Sequence, residues 1–160
     1  MDAVDHARAQ WAEGRPDVDT TGMEVVARLM RLASLVGRRH DDALAGHGLT
    51  TGEFEVLAAL RRVDRPLRAR EVATLTSSPG ATSTKRLDRL ADAGLVERRT
   101  FERDRRGVLV TLSEAGRALV DEVFPQHAAR ELALLTDLSA DERARLAALL
   151  ARVLATAERA

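Results

Sequence analysis

A chain of 160 residues that is 45% hydrophobic and 31% charged has the make-up of one folded domain, with enough apolar material for a core. It contains no cysteine, which excludes disulfides, thiolate metal sites, iron–sulfur clusters and cysteine nucleophiles. Its 25 basic and 25 acidic residues cancel, so only the placement of charge along the chain can point to a partner.

Aromatic residues are so few that the core must be filled by Leu, Val and Ala, the usual filling of packed helices. The acidic start Met1-Asp2-Ala3-Val4-Asp5 lacks the apolar run of a signal peptide, and Arg152 breaks the best apolar stretch, 146–155. A single cytoplasmic domain over 1–160 is expected.

In chain order, residues 2–12 predict a short helix ending at Trp11, followed by a turn-prone stretch through Gly14, Pro16 and Asp17. Val25, Val26, Leu29, Leu32, Val36 and Ala43 then recur at helical spacing until Gly46-His47-Gly48 stops the pattern. Thr50 and Glu53 have capping-box spacing and open a helix with Phe54, Leu57, Ala58 and Leu60 facing inward. Pro66 marks a turn, and 70–75 reads as a short helix without a good cap.

Ser78-Pro79 is a strong helix start, and Gly94 a strong stop. On that helix Gly80, Ser83, Thr84, Leu87, Leu90 and Ala91 share one face. Thr82, Lys85, Arg89 and Asp92 share the other, with Arg86 and Asp88 at the margins. A helix that is small and polar at its start, basic outside and anchored by leucines inside suits a DNA major groove. Residues 95–101 and 108–112 predict a hairpin joined by Glu102-Arg103-Asp104-Arg105-Arg106-Gly107. Three arginines at a hairpin tip are placed to reach phosphates and a narrow minor groove.

Ser113 caps a helix running to about Pro125 or on to Leu135, and Ser139 with Glu142 forms a second capping box. After it Leu146, Leu149, Leu150, Val153, Leu154 and Ala157 form an apolar stripe too wide for one small domain to cover, which implies a homodimer. The expected fold class is therefore mainly α: a winged helix-turn-helix over 50–112, with an N-terminal extension (1–20) and flanking helices (22–47 and 113–160) for dimerisation.

The segment from Arg86 to Arg99 (RLDRLADAGLVERR) and the wing pattern from Asp104 to Ser113 (DRRGVLVTLS) resemble the MarR family of bacterial transcription regulators, over roughly residues 22–158. The resemblance implies a homodimer on a near-palindromic DNA operator, with half-sites about 10 bp apart. It implies Arg106 in the minor groove, oriented by Asp104 and flanked by Arg103 and Arg105. Thr82, Ser83, Lys85 and Arg89 would then face the major groove.

Trp11 on the N-terminal helix, followed by Arg15-Pro16-Asp17, further resembles the urate-responsive branch of that family. The resemblance implies a ligand pocket formed by Trp11, Glu55, Arg86 and Arg98, with Glu55 standing where the branch has Asp. The extra methylene carries the carboxylate about 1.5 Å further. Two guanidiniums favour a flat anion, an indole stacks on a ring, and a carboxylate accepts ligand N–H groups. The bland uses of the same residues are packing for Trp11, a structural ion pair for Glu55 and Arg86, and DNA phosphate for Arg98.

His40 and His47 are expected to be unliganded, since Gly46 breaks their helical register, and His6 and His127 show no partner. No metal and no cofactor are expected. No phosphate loop, nucleophile–base pair or metal-ligand spacing supports an enzyme. The reading is a DNA-binding regulator, a repressor relieved by a small anionic aromatic ligand such as urate. The alternatives are a regulator of the same fold answering a phenolic acid or polycarboxylate, and a helical protein-binding adaptor.

Overall fold

The computed structural model describes residues 1–76, 80–101 and 104–159, the side chains at 80–83, 100–101 and 104–107 excepted. The expected helix start at Ser78-Pro79 lies outside the described residues. In order the elements are α1 (Ala3–Gly14), α2 (Met23–Ala45), α3 (Thr51–Val63), β1 (Leu67–Arg68), α4 (Ala69–Leu75), α5 (Gly80–Asp92), β2 (Val96–Phe101), β3 (Asp104–Leu112), α6 (Glu114–Ala133) and α7 (Ala140–Ala157).

The capping signals act as their side-chain chemistry requires. The Thr50 hydroxyl accepts the Glu53 amide at 3.3 Å, and the Glu53 carboxylate accepts the Thr50 amide at 2.8 Å and hydroxyl at 2.9 Å. Ser139 and Glu142 make the same box at the start of α7. The uncapped start of α4 is held by Glu71, which accepts the Arg68 amide at 2.8 Å.

The core lies where α3, α5 and α6 meet the sheet, with Leu44, Phe54, Val56, Leu57, Leu60, Leu67, Val72, Leu87, Leu90, Val96, Val110, Val120 and Val123 buried. Val56 and Ala59 are buried as well as the expected Phe54, Leu57 and Leu60, so α3 is apolar on most of its circumference. The sheet runs β1-β3-β2, all antiparallel, with Leu67 opposite Val110 and Val96 opposite Leu112. Two findings correct the expected hairpin. Strand β3 already begins at Asp104, so 104–107 belong to the strand and not to the connection, with a register shift between Thr100 and Phe101. The two-residue β1 is also a third strand that its length hid from sequence reading.

Gly116 explains how tightly α6 follows the sheet. A Cβ there would lie 2.0 Å from the Leu95 carbonyl oxygen, so only glycine fits. Ser113 completes the corner, donating to the Gly94 carbonyl at 2.6 Å and accepting the Gly116 amide at 3.0 Å. Helix α6 takes the longer of its two expected lengths and runs through Pro125, which leaves the Asp121 carbonyl without its intrahelical donor.

At the other end, α1 continues past Trp11 to Gly14 and lies on α2 through charge. Arg28 of α2 donates to Asp2 at 2.8 Å and to Asp5 at 2.6 Å, and Arg8 pairs with Glu24. None of α7 is buried. Its Leu149 and Val153 are exposed, as are Val25, Met30 and Leu32 of α2.

Candidate nucleic-acid interface

Helix α5 is anchored by Leu87 and Leu90, both essentially without solvent contact, while Lys85, Asp88, Arg89 and Asp92 stand exposed. Thr84, which the helical wheel places inward, is exposed too. Thr82 and Ser83 occupy the first turns of α5, and their side chains lie outside the described residues, as do those of Asp104, Arg105 and Arg106 on β3. Arg103 falls wholly outside them.

One exposed arginine is tethered. Nη1 of Arg89 lies 3.2 Å from Oε1 of Glu53, whose side chain is only 3% exposed. Among the described residues Glu53 is the one charged residue that is buried, and the local sequence signals only its capping role. Its buried carboxylate joins the first turn of α3 to the outward face of α5. The root of the wing is fixed similarly, as Arg98 of β2 donates to Asp88 of α5 at 2.6 Å.

The four residues expected to form a ligand pocket have different surroundings. Trp11 is 51% exposed on α1. Arg98 is engaged by Asp88. Arg86 is half-buried, with its guanidinium laid over Gly52, where a Cβ would sit 2.2 Å from its central carbon. Its Nη1 is buried with no hydrogen-bond partner among the described residues. Glu55 instead lines a cavity of about 350 Å³ with His40, Phe54, Arg62, Phe124, His127 and Glu131. Glu53, next in sequence to Gly52, is thus the carboxylate shown to reach α5.

That cavity corrects the expectation for His127. Its ring lies 4.3 Å from that of His40 and 4.8 Å from Phe54, and its Nε2 is 3.3 Å from Glu131. Burial first, and then the neighbouring His40, push its pKa below the usual histidine range. No spacing rule could pair His40 with His127, because 86 residues and the whole winged unit separate them in sequence.

A helix seated by its leucines with a basic face outward, followed by a hairpin on a small antiparallel sheet, defines a winged helix-turn-helix, the fold of a class of DNA-binding transcription regulators. The MarR family pattern matches residues 47–107. The HTH-type transcriptional regulator PecS of Dickeya dadantii is 36% identical over 146 residues, covering 90% of this chain and 88% of PecS. The chain belongs to the MarR family. Among solved structures, BpsR of Bordetella bronchiseptica, whose DNA binding is regulated by 6-hydroxynicotinic acid, matches with a TM-score of 0.66 and 29% identity, covering 79% of this chain and 98% of BpsR. The S. aureus MepR–DNA complex matches in fold with a TM-score of 0.76 at 23% identity, covering 82% and 98% of the two chains. Among the described residues no helix is long and apolar enough to cross a membrane.

Proposed function

We propose that the protein is a homodimeric repressor that binds a near-palindromic operator and releases it on binding a small planar anion, urate being the first candidate. The observation that carries the DNA reading is the seating of α5, with Leu87 and Leu90 in the core and Lys85 and Arg89 presented to solvent. Thr82, Ser83, Lys85 and Arg89 then read bases, while Arg103, Arg105 and Arg106, with Asp104 orienting Arg106, hold phosphates and the minor groove.

The ligand reading is supported by Arg86. Among the described residues its buried Nη1 has no acceptor, and an N–H left so costs about 1–3 kcal/mol, which an arriving anion would relieve. Because Arg86 belongs to the recognition helix, engaging it moves the helix, with coupling of about 1–3 kcal/mol typical of such sites. Trp11 supplies the stacking face and Arg98 the second cation, released from Asp88. Of the two candidate carboxylates, Glu53 is closer in sequence to Gly52 and tied to α5, whereas Glu55 faces the histidine cavity. That a relative is regulated by 6-hydroxynicotinic acid, a flat aromatic acid, favours this class of ligand over a polycarboxylate.

Fluorescence anisotropy of operator DNA, titrated with protein in the presence and absence of urate, tests the reading. Urate should weaken binding several-fold, and Arg86→Ala and Trp11→Ala should abolish that response while DNA binding persists. If both variants keep the full response, the pocket is elsewhere. If urate has no effect but an aromatic carboxylate does, the pocket stands with a different ligand.

A further inference from the structure

Three side chains that the DNA and anion readings do not use come together between α2 and α6. His40 projects from α2, and His127 and Glu131 lie one turn apart on the same face of α6. One ligand atom from each lies within 4.8 Å of the other two. The two imidazoles are half-buried and Glu131 is exposed, and all three line the cavity below Phe54.

We propose that His40, His127 and Glu131 bind a divalent transition-metal ion of the zinc class, one per protomer, with a fourth position open to the cavity. The donor set selects the ion. Two imidazole nitrogens and one carboxylate suit Zn²⁺ and its neighbours, whereas Mg²⁺ and Ca²⁺ require oxygen ligands throughout. The distances also suit it. Ligands at about 2.0–2.2 Å from one ion stand roughly 3.4 Å apart, so the set must close by only about 1.4 Å. Glu131 is free to make that movement, being on the solvent side of its helix. The His40 and His127 rings already lie 4.3 Å apart, tilted by 51° to one another.

Position gives the site a consequence. Helix α2 carries the exposed apolar face at Val25, Met30 and Leu32, α6 packs on α3, and Phe54 of α3 touches His127 directly beside Glu53. An ion there would bolt the candidate dimerisation helix to the winged unit at the point where α3 begins. This inference stands independently of the anion pocket, since it uses none of Trp11, Arg86 or Arg98.

The test uses tag-free full-length protein, so that no added histidines compete. Co²⁺ is titrated in and its visible absorption followed, strong for a tetrahedral site and weak for hydrated ion, and Zn²⁺ is then used to displace it. One equivalent per protomer with tetrahedral absorption is expected. His127→Ala and His40→Ala should each weaken binding at least 100-fold, and Glu131→Gln about 10-fold, while the double variant His6→Ala, His47→Ala binds as the parent does. Thermal unfolding confirms that each variant is folded, and His40→Gln and His127→Gln, closer in volume, replace any that is not. Weak binding without tetrahedral absorption, or binding that survives His127→Gln, overturns the proposal. Loss of binding in the His6, His47 double variant overturns it equally, since the ion would then sit on the surface.

Discussion

Glu53 at the start of α3 and Arg89 on α5 form an ion pair, 3.2 Å from Oε1 to Nη1, in which the carboxylate is buried and the guanidinium mostly exposed. Such a pair is asymmetric. The acid is fixed by its hydrogen bonds to Thr50, while the base stays exposed to solvent. Glu53 therefore sets the direction in which Arg89 points, and in the proposed DNA-binding role the direction from which it would approach a base. Replacing Glu53 by Gln should lower stability by about 1–3 kcal/mol through the weakened buried network. It should also leave overall DNA affinity intact while reducing discrimination between operator and random DNA. Arg89→Ala should itself lose about 1–3 kcal/mol of discrimination. Urea unfolding and competition binding measure the two effects. A Glu53→Gln protein with unchanged discrimination would show that Arg89 needs no guide.

Gly52 offers a way to move Arg86 without mutating it. A methyl group at position 52 would occupy the space of the guanidinium, and a flexible side chain yields more easily than backbone. Gly52→Ala should therefore fold, displace Arg86 and weaken the response to anion as strongly as Arg86→Ala does. Anisotropy with and without the anion reads this. Gly116→Ala is the contrast, because the obstacle there is the Leu95 carbonyl, which is backbone. It should cost about 1–3 kcal/mol of stability, seen as a lower urea midpoint.

The attachment of α1 should depend on pH with a definite sign. Asp2 is held below the ordinary aspartate range first by its hydrogen bond from Arg28, and Asp5 first by the Asp2 amide and then by Arg28. Groups with depressed folded pKa values contribute their stability fully above the ordinary carboxylate pKa of about 4, and lose it as pH falls through the depressed values. Emission from Trp11, the only tryptophan, should thus be constant near neutrality and shift below about pH 4. Arg28→Met should shift it at neutral pH. An emission maximum that ignores both acid and Arg28→Met would place the anchor of α1 elsewhere.

Much of this was legible in the sequence, because its signals were local. Capping boxes at Thr50 and Ser139, the glycine stop at 94 and the leucine spacing of α5 each depend on a few neighbouring residues, and each element begins and ends within a few residues of where they indicate. What stayed hidden depends on contacts across the chain. Glu53 reads as a cap until α5 folds over it. His127 reads as a lone histidine until α6 lies against α2. Strand β1 has only Leu67 and Arg68, and its identity comes from pairing with Val110 and Leu109 of β3. The surroundings of Glu55 could not be inferred either, since the two acids at 53 and 55 lie 200° apart on one helix turn, at about 100° per residue.

The exposed leucines and valines of α2 and α7 lead to an assembly prediction. Val25 lies in one apolar groove with Leu146, Leu149 and Val153, an arrangement that a second copy would cover. Leu149→Glu should shift the protein from dimer to monomer in sedimentation velocity and weaken operator binding by at least 10-fold, since in the proposed binding mode one protomer would reach only one half-site. A variant that remains dimeric would move the interface off α7.

The most direct measurement is selection of bound sequences from a random duplex pool, followed by affinity for the best sequence at 50 and 200 mM salt. Enrichment of a near-palindrome, with affinity falling about 10³–10⁵-fold across that range for 6–10 phosphate contacts, is the expected result. Arg106→Ala should bind more weakly and show a shallower salt slope. A pool that yields no enriched sequence, or binding indifferent to salt, would contradict the assignment of α5 and the wing to DNA and leave the apolar face as a surface for protein partners.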